Sequence, residues 1–508
     1  MTGDKKSRNK EYNADEQPCP TKINASSGFQ HRSYYLNFGS HLLNNWNVNM
    51  FFPDGPNQWS VADWTKFLKM IKAFGFTCFE YWIEPTTFGT AASENDMHFD
   101  SFVSIMRQVT EIAHSLGLHT RWTAIPNCIG HDWYFACPNN REDKELILKL
   151  WRRWTQALSS TDFIAVFPGD PGGCNRNGCD YSTFIELALK LTEITVNTNP
   201  KATVILDTWG TPFSGWGEDM HHVPNWDGTW KRLLEGVREI NVDHCHIWNG
   251  SPERAHSAME YLTKRLPGFP DDTIVGINLG FSSEADATVG GDARSYVREI
   301  AKTHRISSWD YSVVEGELIV YPHWRLPRIF SRRREEKYVA DYFGAMSYTM
   351  SPKLSHLSMY AAAQASINPD RNPDEVSKEF CRKVFGAEHE ELGELFEAFE
   401  VVVGWGSYPR RKWSRQEAHR VYLKMIEHLE SATMDKCELP LFPSAMQYRD
   451  DLLWFAKLFA QLSGDIVDRS QIKKDYWARC LSIYDHVPMS ADARAELAAN
   501  RFSSLFKE

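Results

Sequence analysis

From Ser33 onward the chain alternates short, wholly apolar runs with amphipathic segments. Tyr34 to Phe38 is the first strand candidate. Asp63 to Phe74 follows with apolar residues at helical spacing (Trp64, Phe67, Leu68, Ile71, Phe74), and Gly75 stands where a helix closes. Further strands are expected at Phe76 to Ile83, Leu118 to Ile125, Phe163 to Phe167, Ala202 to Leu206, His244 to Trp248 and Thr273 to Leu279. Helices are expected between them, at Phe102 to Leu116, Lys144 to Leu158, Tyr181 to Thr195, Trp230 to Ile240 and Ala255 to Leu266. Ile306 to Tyr311 and Gly344 to Tyr348 bring the strand candidates to nine. After Asn372 the period is helical only, at Val376 to Phe385, Glu390 to Val403, Gln416 to Ala432, Asp450 to Asp465 and Lys474 to Tyr484.

Such alternation argues for a parallel α/β architecture. An open, doubly wound sheet usually carries a glycine-rich phosphate turn, and the chain has neither GxGxxG nor GxxxxGKS/T. The expected fold is therefore a (β/α)8 barrel over residues 33–371. A polar, disordered lead-in precedes it at 1–32, and a helical C-terminal domain follows at 372–508. Nine strand candidates for eight places leave one of them outside the barrel.

Composition narrows the partners. A net charge of −10 over 508 residues gives no electrostatic footprint for nucleic acid or an anionic membrane. The basic run Arg332-Arg333-Arg334 is followed at once by Glu335-Glu336 and reads as a solvated face. No window approaches the roughly 18 apolar residues of a membrane span, and the polar N-terminus lacks the apolar core of a signal peptide. The ten cysteines then read as reduced thiols in a cytoplasmic protein. The pattern leaves a homo-oligomer open. The 19 Trp, 19 Tyr and 29 Phe supply a core, and also flat faces that suit sugar rings.

In a parallel barrel the residues just after each strand converge on one mouth. Here they include Glu84, Asp132 (in Gly130-His131-Asp132-Trp133), Asp170, Asp207, Asn249 and Asp310. Trp82, Trp122, Trp209, Trp248, Trp309, Tyr311 and Trp324 lie beside them, with Arg121, His131, His246 and His323 near. Two carboxylates in different environments are the minimum for splitting a glycosidic bond: one protonates the leaving oxygen, and the other attacks or activates water. Asp170 leaves the buried run FIAVF through Pro168-Gly169 and is the first candidate, although Gly-Asp-Pro-Gly is also a good turn. Metal chemistry competes through His221-His222, His244 with His246, and Cys174 with Cys179, but the cysteines lack a partner pair. No metal and no cofactor is expected.

With these residues assembled, the chain resembles (β/α)8 glycoside hydrolases, in the broad group of the family 20 β-hexosaminidases and the family 67 and 115 α-glucuronidases. Two places carry the resemblance: Phe167-Pro168-Gly169-Asp170, and the succession Trp309-Asp310-Tyr311, Tyr321-Pro322, Gly344-Ala345 and Met359 to Ala363, leading to Asn368-Pro369-Asp370. In such hydrolases the acid/base follows strand four and the nucleophile often follows strand seven. The resemblance thus implies Asp170 and Asp310, with Asp207 third, and makes Ile306 to Tyr311 and Gly344 to Tyr348 the last two barrel strands. In family 20 an Asp-Glu pair ends strand four; here Pro171 follows Asp170. That departure leaves the proton transfer to Asp170 itself or to another residue, and counts against substrate-assisted chemistry on an N-acetyl sugar.

The expected function is an exo-acting glycosidase for a small-molecule carbohydrate. Arg121, Arg325 and Arg328 are candidates for a uronic acid carboxylate. Two alternatives stay open: a metal-dependent barrel isomerase or lyase using His244 and His246, and an inactive sugar-binding protein.

Overall fold

The computed structural model describes residues 28–37, 59–83, 85, 97–129, 134–168, 181–208, 252–277, 290–310, 322, 324–349, 353–399, 415–464, 471 and 474–475. Eight parallel strands close into a barrel: β1 (His31–Asn37), β2 (Cys78–Trp82), β3 (His119–Ala124), β4 (Phe163–Val166), β5 (Thr203–Asp207), β6 (Ile274–Ile277), β7 (Arg305–Asp310) and β8 (Gly344–Thr349). Each pairs with its neighbours in sequence, and β8 pairs with β1 to complete the ring. This decides among the nine candidates. β5 pairs directly with β6, Asp207 opposite Gly276, so the ring closes from the other eight. His244 to Trp248 lies outside the described residues, as does Trp230 to Ile240.

Helices α1 (Val61–Phe74), α2 (Met97–Ser115), α3 (Arg141–Ala157), α4 (Tyr181–Thr198), α5 (Pro252–Arg265), α6 (Gly290–Ile300), α7 (Leu326–Val339) and α8 (His356–Ile367) follow the strands in turn. Local chemistry sets their ends. At α1 the Ser60 side chain accepts from Asp63 N at 3.2 Å, and Asp63 accepts from Ser60 N at 3.1 Å, a reciprocal cap. Gly75 closes the same helix at φ 105°, a left-handed conformation that glycine adopts at little cost. Trp64, Phe67, Leu68, Ile71 and Phe74 are its buried face, as their spacing predicts.

In the C-terminal helical region Asn372 caps α9 (Pro373–Phe385). Its core is continuous with that of the barrel. Phe442 packs on Trp59 and on Phe67 of α1, with ring centroids 4.6 and 5.7 Å apart, and Phe380 of α9 meets Phe74 at 6.3 Å. Helices α10 (Arg415–Ser431) and α11 (Ala445–Ser463) pack on each other beyond it. Where a single helix is expected over Glu390 to Val403, the described residues, which here end at 399, form one α-turn, Leu392–Leu395, between two 3-10 turns.

The basic run overturns its reading as a solvated face. Arg333 is fully buried and Arg332 nearly so, because α7 lays this side against β7 and β8. The Arg333 guanidinium donates to Glu336 at 2.8 Å, to the Met346 carbonyl at 2.8 Å, and to the hydroxyls of Ser366, Ser308 and Ser347 at 3.1 to 3.2 Å. Ser308 in turn donates to Glu336. Arg333→Met removes the buried cation that faces Glu336 and the donors to Met346, Ser308, Ser347 and Ser366. The expected loss is about 3–5 kcal/mol in urea unfolding, and a loss below about 1 kcal/mol would show that the network is only decorative.

Candidate active site

Strand alternation decides what enters the barrel. On β1, Tyr34 packs outward on Phe67 and Phe76, so Ser33 and Tyr35 face the lumen. The lower lumen is largely apolar, with Cys78, Phe163, Ala165, Ile205 and Ile274 in one small cluster and the buried His31 ring 4.4 Å from Phe163. A barrel normally continues upward in branched apolar layers. Here the next layers carry Glu80, Arg121, Thr123 and Asp207, all buried. Above and beside them stand aromatic rings: Tyr35 lies 4.8 Å from Tyr348 and 6.4 Å from Trp82, and Trp82 lies 5.8 Å from Phe167.

The charged residues form one network. Arg121 Nη2 donates to Asp207 Oδ2 at 2.5 Å. Arg121 Nε lies 3.1 Å from Glu80 Oε1, off the hydrogen-bonding direction. Glu80 also accepts from the Ser33 hydroxyl at 2.8 Å and the Thr123 hydroxyl at 2.7 Å. Burial pushes the Glu80 carboxyl up to about 7; Arg121 opposes that, and Asp207 adds to it. Burial raises Asp207 as well, against the pull of Arg121. Asp207 Oδ1 and Arg121 Nη1 are buried with no partner among the described residues.

Gly276 makes the space for this arrangement. A Cβ there would lie 1.6 Å from Asp207 Oδ1 and 2.8 Å from its Cγ. Asp207 is short and is held by Arg121, so it cannot move aside cheaply. Gly276→Ala should push the carboxylate off Arg121 and cost about 1.5–3 kcal/mol, the range for a hydrogen bond to a charged group. Chemical denaturation reads that loss. An unchanged midpoint would mean that the pair re-forms around the methyl group.

Of the residues expected at the mouth, Asp207, Arg121 and Trp82 come together in the lumen. Two expectations are corrected. Trp122 alternates outward from Arg121 and stacks on Trp151 and Trp154 of α3 at 4.8 and 5.4 Å, donating to the Ile83 carbonyl at 3.0 Å. It belongs to the core between strand and helix. Trp324 likewise is buried in the main apolar cluster ahead of α7. The backbone of Trp309 and Asp310 ends β7, with Asp310 paired to Ser347; their side chains lie outside the described residues. So do Asp170, Glu84, His131, Asp132, Trp209, His246, Trp248, Asn249, Tyr311 and His323. The stretch from Gly130 to Trp133 falls between Cys128–Ile129 and Tyr134–Phe135, which pair antiparallel just after β3.

Glu80, Ser33, Thr123, Tyr35, Tyr348 and Gly276 were missed because they sit within strands rather than after them. The available signal was one carboxylate inside the apolar run Cys78-Phe79-Glu80-Tyr81-Trp82. Among the described residues, no group of three or more His, Cys, Asp or Glu is placed to hold a metal ion. The pairs His221-His222, His244/His246 and Cys174/Cys179 lie outside those residues. No described helix is long and apolar enough to cross a membrane.

Searches against protein-family models and against curated protein sequences found no match. Solved structures do match. A family 89 glycoside hydrolase from Clostridium perfringens, in complex with 2-acetamido-1,2-dideoxynojirmycin, superposes with TM-score 0.51 and 9% identity over 94% of this chain. The chain has the fold of that hydrolase. A GH138 enzyme targeting pectin rhamnogalacturonan II gives TM-score 0.49 and 10% identity over 93% of this chain. The chain spans 54% of the family 89 structure and 62% of the GH138 structure, less than two thirds of either.

Proposed function

We propose that the protein is a glycoside hydrolase acting at the carboxyl end of the barrel on a small saccharide, taken from the chain end. The observation that carries this reading is the lumen: carboxylates and an arginine set between an apolar floor and a rim of aromatic rings, in a barrel of hydrolase fold. Asp170 follows β4 and is assigned as proton donor. Asp310 ends β7 and is assigned as nucleophile or base. β4 and β7 stand three places apart in the ring of eight, so their ends face each other across the mouth rather than side by side. Asp207 has one oxygen committed to Arg121 and is buried, which suits orienting a ligand better than shuttling a proton.

The test is a panel of 4-nitrophenyl glycosides of both anomers, assayed before and after dialysis against a strong chelator. Hydrolysis that survives the chelator supports the carboxylate reading. Activity lost with the metal supports a metal-dependent enzyme, and sugar binding without hydrolysis supports a binding protein.

A further inference from the structure

The lumen network also bears on which sugar is taken. We propose that Arg121 and Asp207 form the floor of a subsite for a neutral, hydroxyl-bearing sugar and that this subsite excludes uronic acids. The inference rests on the hydrolase reading for its assay, though not for its chemistry.

Three observations carry it. First, the arginine is already neutralised: Arg121 faces Asp207 Oδ2 at 2.5 Å and Glu80 Oε1 at 3.1 Å. With Glu80 protonated the cluster is neutral, and with both carboxyls ionised it stands at −1. An arginine that binds a uronate must bring an unspent charge; this one has none. An anion placed over the cluster, in a lumen of low dielectric, gains no net attraction, and meets repulsion once Glu80 ionises.

Second, three atoms of the network are unspent. Asp207 Oδ1 accepts nothing, and Arg121 Nη1 and Nε make no hydrogen bond among the described residues, and both side chains are buried. A buried polar group needs a partner. A sugar hydroxyl both donates and accepts, so it suits this acceptor and donor together; a carboxylate can only accept. Third, Tyr35, Trp82 and Tyr348 stand on the lumen faces of their strands, ring to ring with one another or with Phe167, a surface that suits the C–H faces of a neutral sugar.

The test compares 4-nitrophenyl hexosides and pentosides with 4-nitrophenyl glucuronide and galacturonide, in the wild type and in Asp207→Asn. The wild type should favour its best neutral glycoside over either uronide by at least about 100-fold in kcat/KM. Asp207→Asn should raise KM for that neutral glycoside about 10-fold and shrink the neutral-over-uronide ratio. A uronide turned over as well as the neutral sugars, or an unchanged ratio in a folded Asp207→Asn protein, would overturn the inference. If the variant does not fold, the wild-type ratio decides alone. If nothing on the panel is hydrolysed, the hydrolase reading fails, and calorimetric titration with the corresponding methyl glycosides and methyl uronides decides the subsite. Neutral binding alone upholds it; uronide binding, or binding of neither, overturns it.

Discussion

Replacing Asp170 with Asn lowers kcat on an unactivated aryl glycoside by about 10²–10⁴-fold, the contribution expected of a positioned general acid, and leaves the unfolding midpoint unchanged. Phe163 to Val166 is buried along its length, and Phe167 and Pro168 carry the backbone out at the carboxyl end, two residues before Asp170. On the proposed function, a carboxyl delivered there is the one that protonates the leaving oxygen of a sugar seated in the mouth. Asparagine keeps the size and loses the proton. The loss should therefore shrink on a dinitrophenyl glycoside, whose leaving group departs without protonation, and the basic limb of the pH–rate profile should disappear. Wild-type turnover by the variant on both substrates would remove Asp170 from the chemistry.

The second large effect is on stability. Arg121→Met removes the cation that Glu80 and Asp207 share, leaving two buried carboxyls without it. The expected cost is about 3–5 kcal/mol, and it depends on pH in a definite direction. Burial has already raised the Glu80 carboxyl from its usual range to about 7, so the folded state holds a proton there that the unfolded chain releases above about 4.5. The stability Glu80 contributes is thus full below the unfolded value and is lost as pH rises through 7. Without Arg121 the folded value climbs further and the loss continues above neutral pH. Denaturation of wild type and variant at pH 5 and pH 8 should show the larger difference at pH 8. An equal difference at both would mean that neither carboxyl takes up the proton.

What could be read from the sequence follows from how each contact is made. Short apolar runs between helices identify the strands, and α1 declares both ends through Ser60, Asp63 and Gly75. These are local patterns and need no tertiary information. In a strand buried on both faces, polarity no longer reports direction. Arg121 and Trp122 are adjacent and equally buried, and only the packing of α3 shows that the tryptophan faces out. The pairing of Arg121 with Asp207 spans 86 positions and leaves no trace in either local sequence. Arg333 illustrates the converse error: a run of arginines followed by glutamates looks solvated until α7 is laid against strands that offer Ser308, Ser347 and the Met346 carbonyl. The strand-end rule did locate Asp207, because it depends on topology, which the alternation supplies.

The most direct test of the central claim is a crystal structure of the Asp170→Asn protein with an unhydrolysed glycoside bound. The sugar should lie in the barrel mouth, its glycosidic oxygen within hydrogen-bonding distance of residue 170, with the Asp310 carboxyl on the other side of the scissile bond. The carboxyl separation, measured in the wild type, then gives the stereochemistry: near 5–5.5 Å for retention, about 6.5–9.5 Å for inversion. A sugar bound away from the carboxyl ends of the strands, or seated there with residue 170 out of reach of its glycosidic oxygen, would contradict that claim.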